Sequence, residues 1–434
     1  MRALRLVLRF LHIALVAWTA LVVYAWRRLR AGRLERDALE ALRGTLLAAT
    51  LEQLGATFIK FGQILSTRPD LLGPGYTDKL ARLQDAVPPA PFAAVETVLA
   101  RELSAEARAR LAWIDPEPVA AASVAQVHRA RLDTGESVAL KVQRVEARPQ
   151  IERDLAILGA LARLAHRVPS VHLLSLPGAV ATFGESLRRQ LDFRLEAGNN
   201  RRFAANFADV PAVSVPGLFP GLCTEGVLGM EFIEGAKATD RARIGGDRKK
   251  LARVGGEAIL KMVFLDGFVH ADLHPGNIIL TDDDRVVLID LGMVTEIPPD
   301  LLKVWVETFL ALSQNDGVTA ARLFYGYAPT VGATRYADFE KDVADHLGRL
   351  HGKSLGEVEI GEAVGGMMNI LRRHRVQVDP SFTVVHIALL VAEGLGKQLD
   401  PDIDLIPLAL PYLAQAMISA PPPRPPHRAP PAAL

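Results

Sequence analysis

The sequence is poor in cysteine and has no excess of charge of either sign. Cys223 is the only cysteine among the 434 residues, which excludes an intramolecular disulfide and a thiolate metal cage. The 50 basic and 49 acidic residues nearly cancel, so no overall field points to nucleic acid as a partner. A chain of this length can nevertheless form two or three lobes, each with its own core.

The N-terminal region has an apolar run that is shorter than a typical membrane-spanning helix. The run Phe10–Trp26 has 17 residues, whereas a spanning helix needs about 20. No small-residue cleavage site follows it, so a removable signal peptide is not expected. The run predicts a membrane anchor, spanning or interfacial, and the alternative is a buried or partner-binding helix. Arginines are slightly more numerous after the run, which predicts a cytoplasmic location for the following domain.

Residues 37–112 have the periodicity of helices and few strand signals, which predicts a helical extension. Within this extension, Lys60, Gly62 and Gln63 form a Lys-x-Gly-Gln string on an amphipathic helix. Taken alone, the string is explained equally well by a solvated helix face with a tolerated glycine.

Strand patterns that begin at Val119 predict the first three strands of a kinase-like N-lobe. Lys141 ends a Val-Ala-Leu-Lys string, the position at which kinases bind the nucleotide phosphates with a strand lysine. The preceding loop lacks the usual glycines, and each Cβ limits the approach of backbone N–H groups to a phosphate. We therefore predict a stiffer nucleotide lid, whose contacts are made by Ala120, Ala121, Ala122 and Ser123.

A kinase site also needs a helix glutamate that pairs with the strand lysine. We predict one helix through residues 177–207, on which Glu185, Arg189, Asp192 and Glu196 share a face. Glu196 is the predicted partner of Lys141, and Asp192, one turn earlier, is available to a second cation. The alternative is a helix surface laced by i,i+4 pairs.

The stretch Gly226–Gly235 reads as a buried strand that leads into a turn. In a kinase-like lobe this strand forms the hinge beneath the adenine base. We predict that Met230 lies behind the base and that backbone groups near Glu231 and Ile233 face it.

The stretch Phe268–Met293 has the residues that phosphoryl transfer needs. Asp272 and Asn277 have D-x-x-x-x-N spacing, a predicted β-hairpin follows, and Asp290 opens a D-x-G string, as in protein kinases. A carboxylate must lie near the attacking group, and oxygen ligands must hold Mg²⁺ on the phosphates. We predict a catalytic Asp272, metal ligands Asn277 and Asp290, and ATP with Mg²⁺ as cofactors. The alternative is an Asp-rich turn beside a surface hairpin.

The remaining chain reads as helices to about residue 418, without the A-P-E string and long activation segment that normally support a peptide substrate. This absence argues against an ordinary protein kinase. The proline-rich end cannot form a core and predicts disorder.

Six strings resemble, in order, those of the AarF/UbiB-type atypical kinases: KFGQILSTRPDLL, PVAAASVAQVHRA, VALKV, LDFRLEAGNN, HADLHPGN and LIDLGM. The resemblance covers residues 51–296. It implies a protein-kinase-like fold with an N-terminal helical extension, ATP and Mg²⁺ binding, and an ATPase or small-molecule kinase tied to ubiquinone and isoprenoid-lipid metabolism at membranes. It also implies that the Lys60, Gly62 and Gln63 motif folds over the active site, where Asp192 would face it.

Three features depart from the family pattern. The family's Glu-x-Asp string is Gln190-Leu191-Asp192 here, so one carboxylate that could face Lys60 is an amide. The glycine usual before Gln126 is Ala125. A C-terminal pair of membrane helices found in some bacterial members is missing, and the N-terminal apolar run could replace it.

We therefore predict an α+β, bilobal protein-kinase-like fold with an N-terminal helical extension and a helix-rich C-lobe. The predicted divisions are an anchor with a basic flank at 1–36, the extension at 37–112, an N-lobe with inserted helices at 113–235, a C-lobe with the catalytic loop at 236–418 and a disordered tail at 419–434.

The leading functional hypothesis is a membrane-associated, Mg²⁺-dependent ATPase or small-molecule kinase at the cytoplasmic face of the inner membrane. Its expected partners are a membrane lipid or quinone precursor and quinone-biosynthesis enzymes, with no nucleic acid and with homodimerisation left open. The alternative is an ATP-sensing scaffold that recruits enzymes without phosphoryl transfer, and a protein kinase comes third.

Overall fold

A computed structural model describes residues 2–30, 35–66, 72–80, 83, 88–167, 176–332, 335–350 and 360–429. The chain divides into two compact units, each held together by contacts among its own residues. Unit 1 holds the N-terminal helices, Leu72–Gly198 and Pro216–Ile233, and unit 2 holds Asn199–Val215 and Glu234 onward. The predicted N-lobe of residues 113–235 is thus interrupted, because residues 199–215 belong with unit 2.

Unit 1 begins with helices, as predicted for its extension. They are α1 (Arg2–Arg30), α2 (Arg36–Leu54), α3 (Ala56–Ser66), α4 (Pro74–Leu80), α5 (Phe92–Glu102) and α6 (Ala105–Ala109). Helix α1 has 29 residues and extends beyond the predicted apolar run at both ends. One apolar cluster joins α1 to the extension, and its buried members include Val16, Leu54, Phe58 and Leu80.

The sheet of unit 1 has five antiparallel strands in the order β1-β2-β3-β6-β5. The strands are β1 (Leu111–Ala121), β2 (Ala125–Leu132), β3 (Ser137–Gln143), β5 (Leu218–Cys223) and β6 (Val227–Glu231). Strand β1 begins at Leu111, before the predicted start at Val119. The sequence pattern does not reveal this earlier start, because Pro116 and Pro118 interrupt it and the pairing shifts register there. In β3, Val138, Leu140 and Val142 enter the core, so Lys141 lies on the opposite face.

The prediction of one helix through residues 177–207 is wrong. After α7 (Ala147–Ala165), the chain forms α8 (Leu176–Gln190) and α9 (Phe193–Asn206). The break occurs at Leu191, which is fully buried, and at Asp192, whose carboxylate accepts a hydrogen bond from the Arg194 N–H at 3.1 Å. This contact is typical of a helix N-cap, so a new helix starts after Asp192. Glu185 and Arg189 therefore do not share a helical face with Glu196.

Unit 2 contains short strands, some of which flank the loops that carry Asp272 and Asp290. They are β4 (Val213–Ser214), β7 (Ala236–Lys237), β8 (Phe268–His270), β9 (Ile278–Leu280), β10 (Val286–Leu288), β11 (Val294–Glu296), β12 (Thr330–Val331) and β13 (Val376–Gln377). Four of these pair in the order β4-β10-β9-β7, and β11 pairs with β8. The predicted hairpin is present as β9 and β10, which pair in antiparallel register.

Most of unit 2 is helical. Its helices are α10 (Arg248–Phe264), α11 (Pro299–Ser313), α12 (Gly317–Tyr327), α13 (Tyr336–Leu350), α14 (Ile360–Arg373), α15 (Pro380–Leu399) and α16 (Leu405–Ser419). Phe382 on α15 lies at the centre of an aromatic group in this core. The ring centroids of Trp305 and Phe324 lie 4.9 and 5.1 Å from that of Phe382. Packing of this kind holds α11, α12 and α15 together.

The sequence predicts disorder for the proline-rich tail, but residues 420–429 are held against unit 2. The Arg424 N–H donates to the carbonyl of Asp300 at 3.1 Å, and the Arg428 guanidinium donates to the carbonyl of Ala328 at 2.7 Å. The prediction of disorder is therefore wrong for this part of the tail, and residues after 429 lie outside the described residues. Proline fixes φ in advance, so an extended segment of this composition loses less entropy when it docks.

Among the residues that the structure describes, two helices have the length and composition to cross a membrane, within Leu4–Arg30 and at Pro380–Leu399. The second belongs to the core of unit 2, where Phe382, Val385 and Leu389 are buried. In the first helix, only 6% of the most apolar 18-residue stretch is buried.

Burial of His386 on α15 gives unit 2 a pH-dependent stability. Burial lowers the pKa of His386 to about 4, from an ordinary value near 6.5. Between these values the unfolded chain binds the extra proton, so the free energy of unfolding should fall as the pH drops from 6.5 towards 4, by at most about 1.4 kcal/mol per pH unit. In urea unfolding at pH 7 and pH 5, His386→Leu should weaken this dependence. The exposed His427→Leu should not, and equal slopes in both variants would contradict the assignment.

Candidate active site

Lys141 and Glu196 form a buried ion pair in unit 1. The Lys141 Nζ lies 2.9 Å from each carboxylate oxygen of Glu196, which is in the first turn of α9. Their side chains are only 12% and 6% exposed, and the Phe193 ring centroid lies 5.4 Å from the ammonium nitrogen. The structure thus brings together two residues that the sequence predicts to pair. A low local dielectric strengthens such a contact and makes either charge costly without the other.

Asp192 has a different environment from the one predicted. Its carboxylate accepts two hydrogen bonds from the Arg194 guanidinium, at 2.8 and 2.7 Å. These hydrogen bonds hold the pKa of Asp192 below its usual value. Asp192 therefore caps α9 and pairs with Arg194, and the structure gives no support for its availability to a second cation.

The alanine-rich loop is a tight turn between β1 and β2. Ala120 and Ala121 end β1, and the Ala122 N–H donates to the carbonyl of Ala125 at 2.8 Å. Ser123 in this turn is 6% exposed.

Ala125 connects the turn to the helix that carries Glu196. It is 2% exposed and packs in a small cluster with Phe193, Ala197 and Leu228. A glycine at this position would lack the methyl group that makes this contact. The methyl group of Ala125 therefore adds a packing contact between this turn and α9, and the role of the turn as a stiff nucleotide lid stays a prediction.

The predicted hinge is the end of strand β6 in unit 1. Met230 pairs with Ala139 of β3, and the Glu231 N–H donates to the carbonyl of Gly217 at 2.7 Å. The Phe232 N–H donates to the carbonyl of Ser137 at 3.1 Å. Because these two N–H groups are used within unit 1, an adenine base would have to meet other backbone groups near Ile233.

The Lys-x-Gly-Gln string lies on helix α3 of unit 1. Lys60 is 8% exposed. A Cβ on Gly62 would lie 2.2 Å from Leu83 Cδ1 and 2.8 Å from Leu51 Cδ1, so a larger residue would force these two buried leucine side chains to move. The Gln63 amide donates to the Leu83 carbonyl at 3.2 Å. Gly62 and Gln63 thus shape the extension itself, and the position of the motif over an active site stays a prediction.

His270 holds the start of the Asp272 loop in unit 2. Its Nε2 lies 3.2 Å from the carbonyl of Ile289, and its Nδ1 accepts the Asp272 N–H at 3.2 Å. These partners assign the proton to Nε2 in the neutral ring. Burial lowers the pKa of His270, which favours the same neutral form. The ring thereby ties the backbone of Asp272 to the strand that precedes Asp290.

Asn277 and Asp290 are fixed by the backbone around them. The Asn277 amide donates to the carbonyl of Asp272 at 3.0 Å, and its own carbonyl accepts the Ile289 N–H at 2.9 Å. Asp290 has a φ of 56°, a conformation that only glycine, asparagine and aspartate adopt readily. The Asn199 amide donates to the carbonyl of Leu291 at 2.8 Å. The structure thus links Asp272, Asn277 and the segment that carries Asp290 through one set of backbone contacts.

The donor types at Asn277 and Asp290 fit a magnesium ion. The amide nitrogen of Asn277 is used in the bond to Asp272, so the amide oxygen is the end that can ligate a hard cation. Asp290 supplies a carboxylate. Among the described residues, no three His, Cys, Asp or Glu side chains gather as a metal cage. Mg²⁺ is commonly bound by one or two protein ligands and completed by phosphate and water, so Asn277 and Asp290 would be sufficient protein ligands.

Several polar residues that hold neighbouring segments together are not among the predicted ones. Gln126 on β2 accepts the Ala90 N–H at 2.9 Å and lies 2.8 Å from the ring of His128, whose Nδ1 contacts the Asp115 carbonyl at 2.7 Å. Both side chains are buried. The signal in the sequence is a pair of polar residues at alternate positions of a strand, on the face expected to enter the core. His270 and Asn199 have no comparable periodic signal.

The parts of the chain that contain these residues match known protein families. The family descriptions that match are the ABC1 atypical kinase-like domain over residues 82–323 and the UbiB helical domain over residues 343–404. A protein from Pseudomonas fluorescens (strain Pf0-1), named "Probable protein kinase UbiB", is 36% identical over 390 residues, which cover 88% of this chain and 73% of that protein. The chain belongs to the UbiB family of atypical kinases.

Other relatives of this UbiB-family chain agree. A protein of the same name from Azotobacter vinelandii (strain DJ) is 36% identical over 392 residues, covering 88% of this chain and 73% of that protein. The solved structure titled "The complex structure of Rv3197-erythromycin from Mycobacterium tuberculosis" has a TM-score of 0.52 and 23% identity, and covers 84% of this chain and 97% of that one. The structural likeness supports the kinase-like α+β fold predicted for the UbiB-family chain.

Proposed function

We propose that this chain is a membrane-associated, Mg²⁺-dependent ATPase or small-molecule kinase that supports ubiquinone or isoprenoid-lipid biosynthesis. The observation that carries the proposal is the buried pair of Lys141 and Glu196. A lysine held by a carboxylate in a low dielectric is a preorganised donor for phosphate oxygens. A purely structural role would not require a charge pair at this depth, since apolar residues of similar size often stabilise as well.

The Asp272 loop supplies the remaining chemistry. Asp272 would orient the attacking water or hydroxyl and accept its proton as the phosphoryl group leaves ADP. Asn277 and Asp290 would hold Mg²⁺, which, when bound, neutralises charge on the phosphates. His270 would fix the direction of Asp272 through its contact with the backbone N–H.

A small molecule is the proposed acceptor, although the relatives are named protein kinases. The sequence has no A-P-E string and no long activation segment, the parts that normally position a peptide. The apolar, arginine-flanked helix α1 supports a site of action at a membrane, where quinone precursors and other isoprenoid lipids are found. We place the protein at the cytoplasmic face of the inner membrane, where ATP is available.

The second candidate function is an ATP-sensing scaffold that recruits biosynthetic enzymes. The packing of Ala125 against α9 favours it, because a stiff lid can couple nucleotide binding to a change in shape without requiring turnover. The carboxylates at Asp272 and Asp290 favour the enzyme.

Asp272→Asn distinguishes the two functions. We expect the purified protein to hydrolyse ATP only with Mg²⁺, and we expect the variant to lose this activity while it still binds ATP, as measured by thermal stabilisation at a hundredfold excess over Kd, worth about 2.7 kcal/mol. Cells that depend on the gene should then fail to make the lipid product. If the variant restores production fully, the scaffold is the correct function. If well-folded wild-type protein neither hydrolyses nor binds ATP, both functions are wrong.

A further inference from the structure

Helix α1 has two faces of different character along its length. The inward face, spaced by three or four residues, is partly or fully buried against unit 1 at Leu6, Arg9, Ile13, Val16, Ala20, Tyr24 and Arg28. The outward face is exposed and apolar at Leu4, Leu8, Leu11, Leu15, Trp18, Val22 and Leu29. Residues at this spacing share one side of a helix, so the outward face is a continuous apolar stripe.

Two contacts, one near each end of α1, fix this helix to the rest of unit 1. The Arg9 guanidinium donates to both carboxylate oxygens of Asp154 on α7, at 2.7 and 2.9 Å. Asp154 is fully buried and also accepts the Thr57 hydroxyl at 2.6 Å. Further along α1, the Tyr24 hydroxyl accepts a hydrogen bond from Arg43 of α2 at 3.1 Å. The two contacts are separated by about 22 Å of helix, so α1 lies along the protein.

These contacts are incompatible with a spanning α1. A bilayer crossing by the run Phe10–Trp26 would place Val16 near the centre of the hydrocarbon region and Arg9 at its boundary. Either the residues that these two contact, among them Leu54 and Asp154, would have to follow them towards the lipid, or the buried Asp154 carboxylate would lose its arginine. A charged residue in hydrocarbon and an unpaired buried charge are both costly.

We infer that α1 binds in the plane of an anionic membrane surface, with the outward stripe in the headgroup and acyl boundary and the inward face still clamped by Arg9 and Asp154. This inference rests on the membrane association in the proposed function and specifies its geometry. Trp18 and Trp26 are 66% and 51% exposed on α1, and their amphipathic rings are typical of this boundary.

A second copy of the chain fits the stripe less well than a lipid surface does. The spacing of Leu4, Leu8, Leu11, Leu15 and Trp18 would also suit a coiled coil. However, α1 contains six arginines and no aspartate, glutamate or lysine. Parallel or antiparallel pairing of two copies would bring arginines against arginines, whereas coiled coils place opposite charges beside the seam. Anionic headgroups complement the arginines other than Arg9, which is already paired with Asp154.

Vesicle flotation of the full-length protein tests the surface. We expect binding to phosphatidylglycerol-containing vesicles that weakens with salt, and much weaker binding to pure phosphatidylcholine vesicles. Leu15→Glu with Val22→Glu should reduce binding by about tenfold or more, because two apolar contacts become charges at the boundary. The matched control Val318→Glu with Ile418→Glu places the same charges on exposed apolar residues of unit 2 and should bind normally. Equal binding by both double variants would overturn the inference.

Cysteine labelling tests the in-plane geometry. Cys223 is the only cysteine, so Cys223→Ser gives a background in which Arg5→Cys or Arg30→Cys is the sole thiol. A membrane-impermeant maleimide should label both positions in inverted membrane vesicles and neither in intact spheroplasts. Labelling from opposite sides would show a spanning helix and overturn the inference. A stable dimer without vesicles that is lost in Leu15→Glu with Val22→Glu would overturn it in favour of self-association.

The outcomes separate this inference from the proposed function. Mg²⁺-dependent ATP hydrolysis is measured on the same variants without vesicles, and we expect it to be unchanged, because none of the substituted residues belongs to the candidate active site. Vesicle binding with opposite-side labelling overturns the geometry alone. A wild-type protein that hydrolyses ATP but does not float with anionic vesicles overturns the inference and leaves the enzyme intact.

Discussion

Asp290→Asn is expected to lower Mg²⁺-dependent ATP hydrolysis by roughly 10²–10³-fold, the loss typical of removing one preorganised charge contact from an active site. The substitution changes a carboxylate to an amide of the same shape, so a cation held there loses a charged ligand. Asparagine tolerates the positive φ of 56° at this position, whereas alanine would add backbone strain. The variant therefore tests charge without distorting the loop. Steady-state turnover across a range of Mg²⁺ concentrations is the measurement.

Asp282→Asn is the matched control for this prediction. It makes the same change on the exposed turn between β9 and β10. We expect its turnover to remain near that of the wild type. If Asp290→Asn hydrolyses ATP as fast as Asp282→Asn does, Asp290 is not a metal ligand in the reaction.

Glu196→Gln should lower the free energy of unfolding by about 3–5 kcal/mol, the cost of removing one member of a buried ion pair. Lys141 is 12% exposed, so water can replace little of the lost contact. Chemical denaturation gives the measurement. Glu152→Gln removes the partner of Arg188 from an exposed pair, with side chains 50% and 44% exposed, and should cost at most about 1 kcal/mol. Similar losses in the two variants would show that the Lys141 pair is not buried in solution.

The double variant Lys141→Met with Glu196→Gln separates stability from chemistry. Because it removes both charges of the pair together, we expect it to recover most of the stability lost in Glu196→Gln. ATP turnover should not recover, since the phosphate-binding ammonium is gone. Recovery of both would mean that the pair is only structural.

The parts of the site that could be predicted from the sequence depend on local geometry. The spacing of Asp272 and Asn277, the hairpin and the position of Asp290 all lie within one short stretch, and the hairpin is present as β9 and β10. The pairing of Lys141 with Glu196 spans 55 residues, and it could be predicted because a kinase-like lobe requires it. The family membership and fold class agree with this interpretation.

The parts that could not be predicted depend on tertiary partners. Helical periodicity continues across Leu191 and Asp192, but the full burial of Leu191 and the cap at Asp192 end one helix and start another. The tail contains many prolines, and its order comes from carbonyl acceptors on α11 and α12 that no local pattern reveals. Composition states which groups a segment has, and the fold decides which partners they meet.

Helix α1 illustrates the same distinction. Its apolar run is compatible with spanning and interfacial anchors alike, whereas the contacts of Arg9 with Asp154, 145 residues away, and of Tyr24 with Arg43 favour the interfacial one. A long-range ion pair of this kind leaves no periodic signal in the run itself.

Strand pairing between distant parts of the chain, in both units, has a consequence for synthesis on the ribosome. Strand β3 pairs with β6 only after residues 227–231 have been made, and the chain in between contributes β4 to unit 2. Strand β4 must in turn wait for β10, whose pairing residue Val286 follows Val213 by 73 positions (286 − 213). At typical rates of translation this wait lasts roughly 4–15 s. The nascent chain therefore exposes unpaired strand edges for seconds, and slower elongation would lengthen the period in which they can pair wrongly.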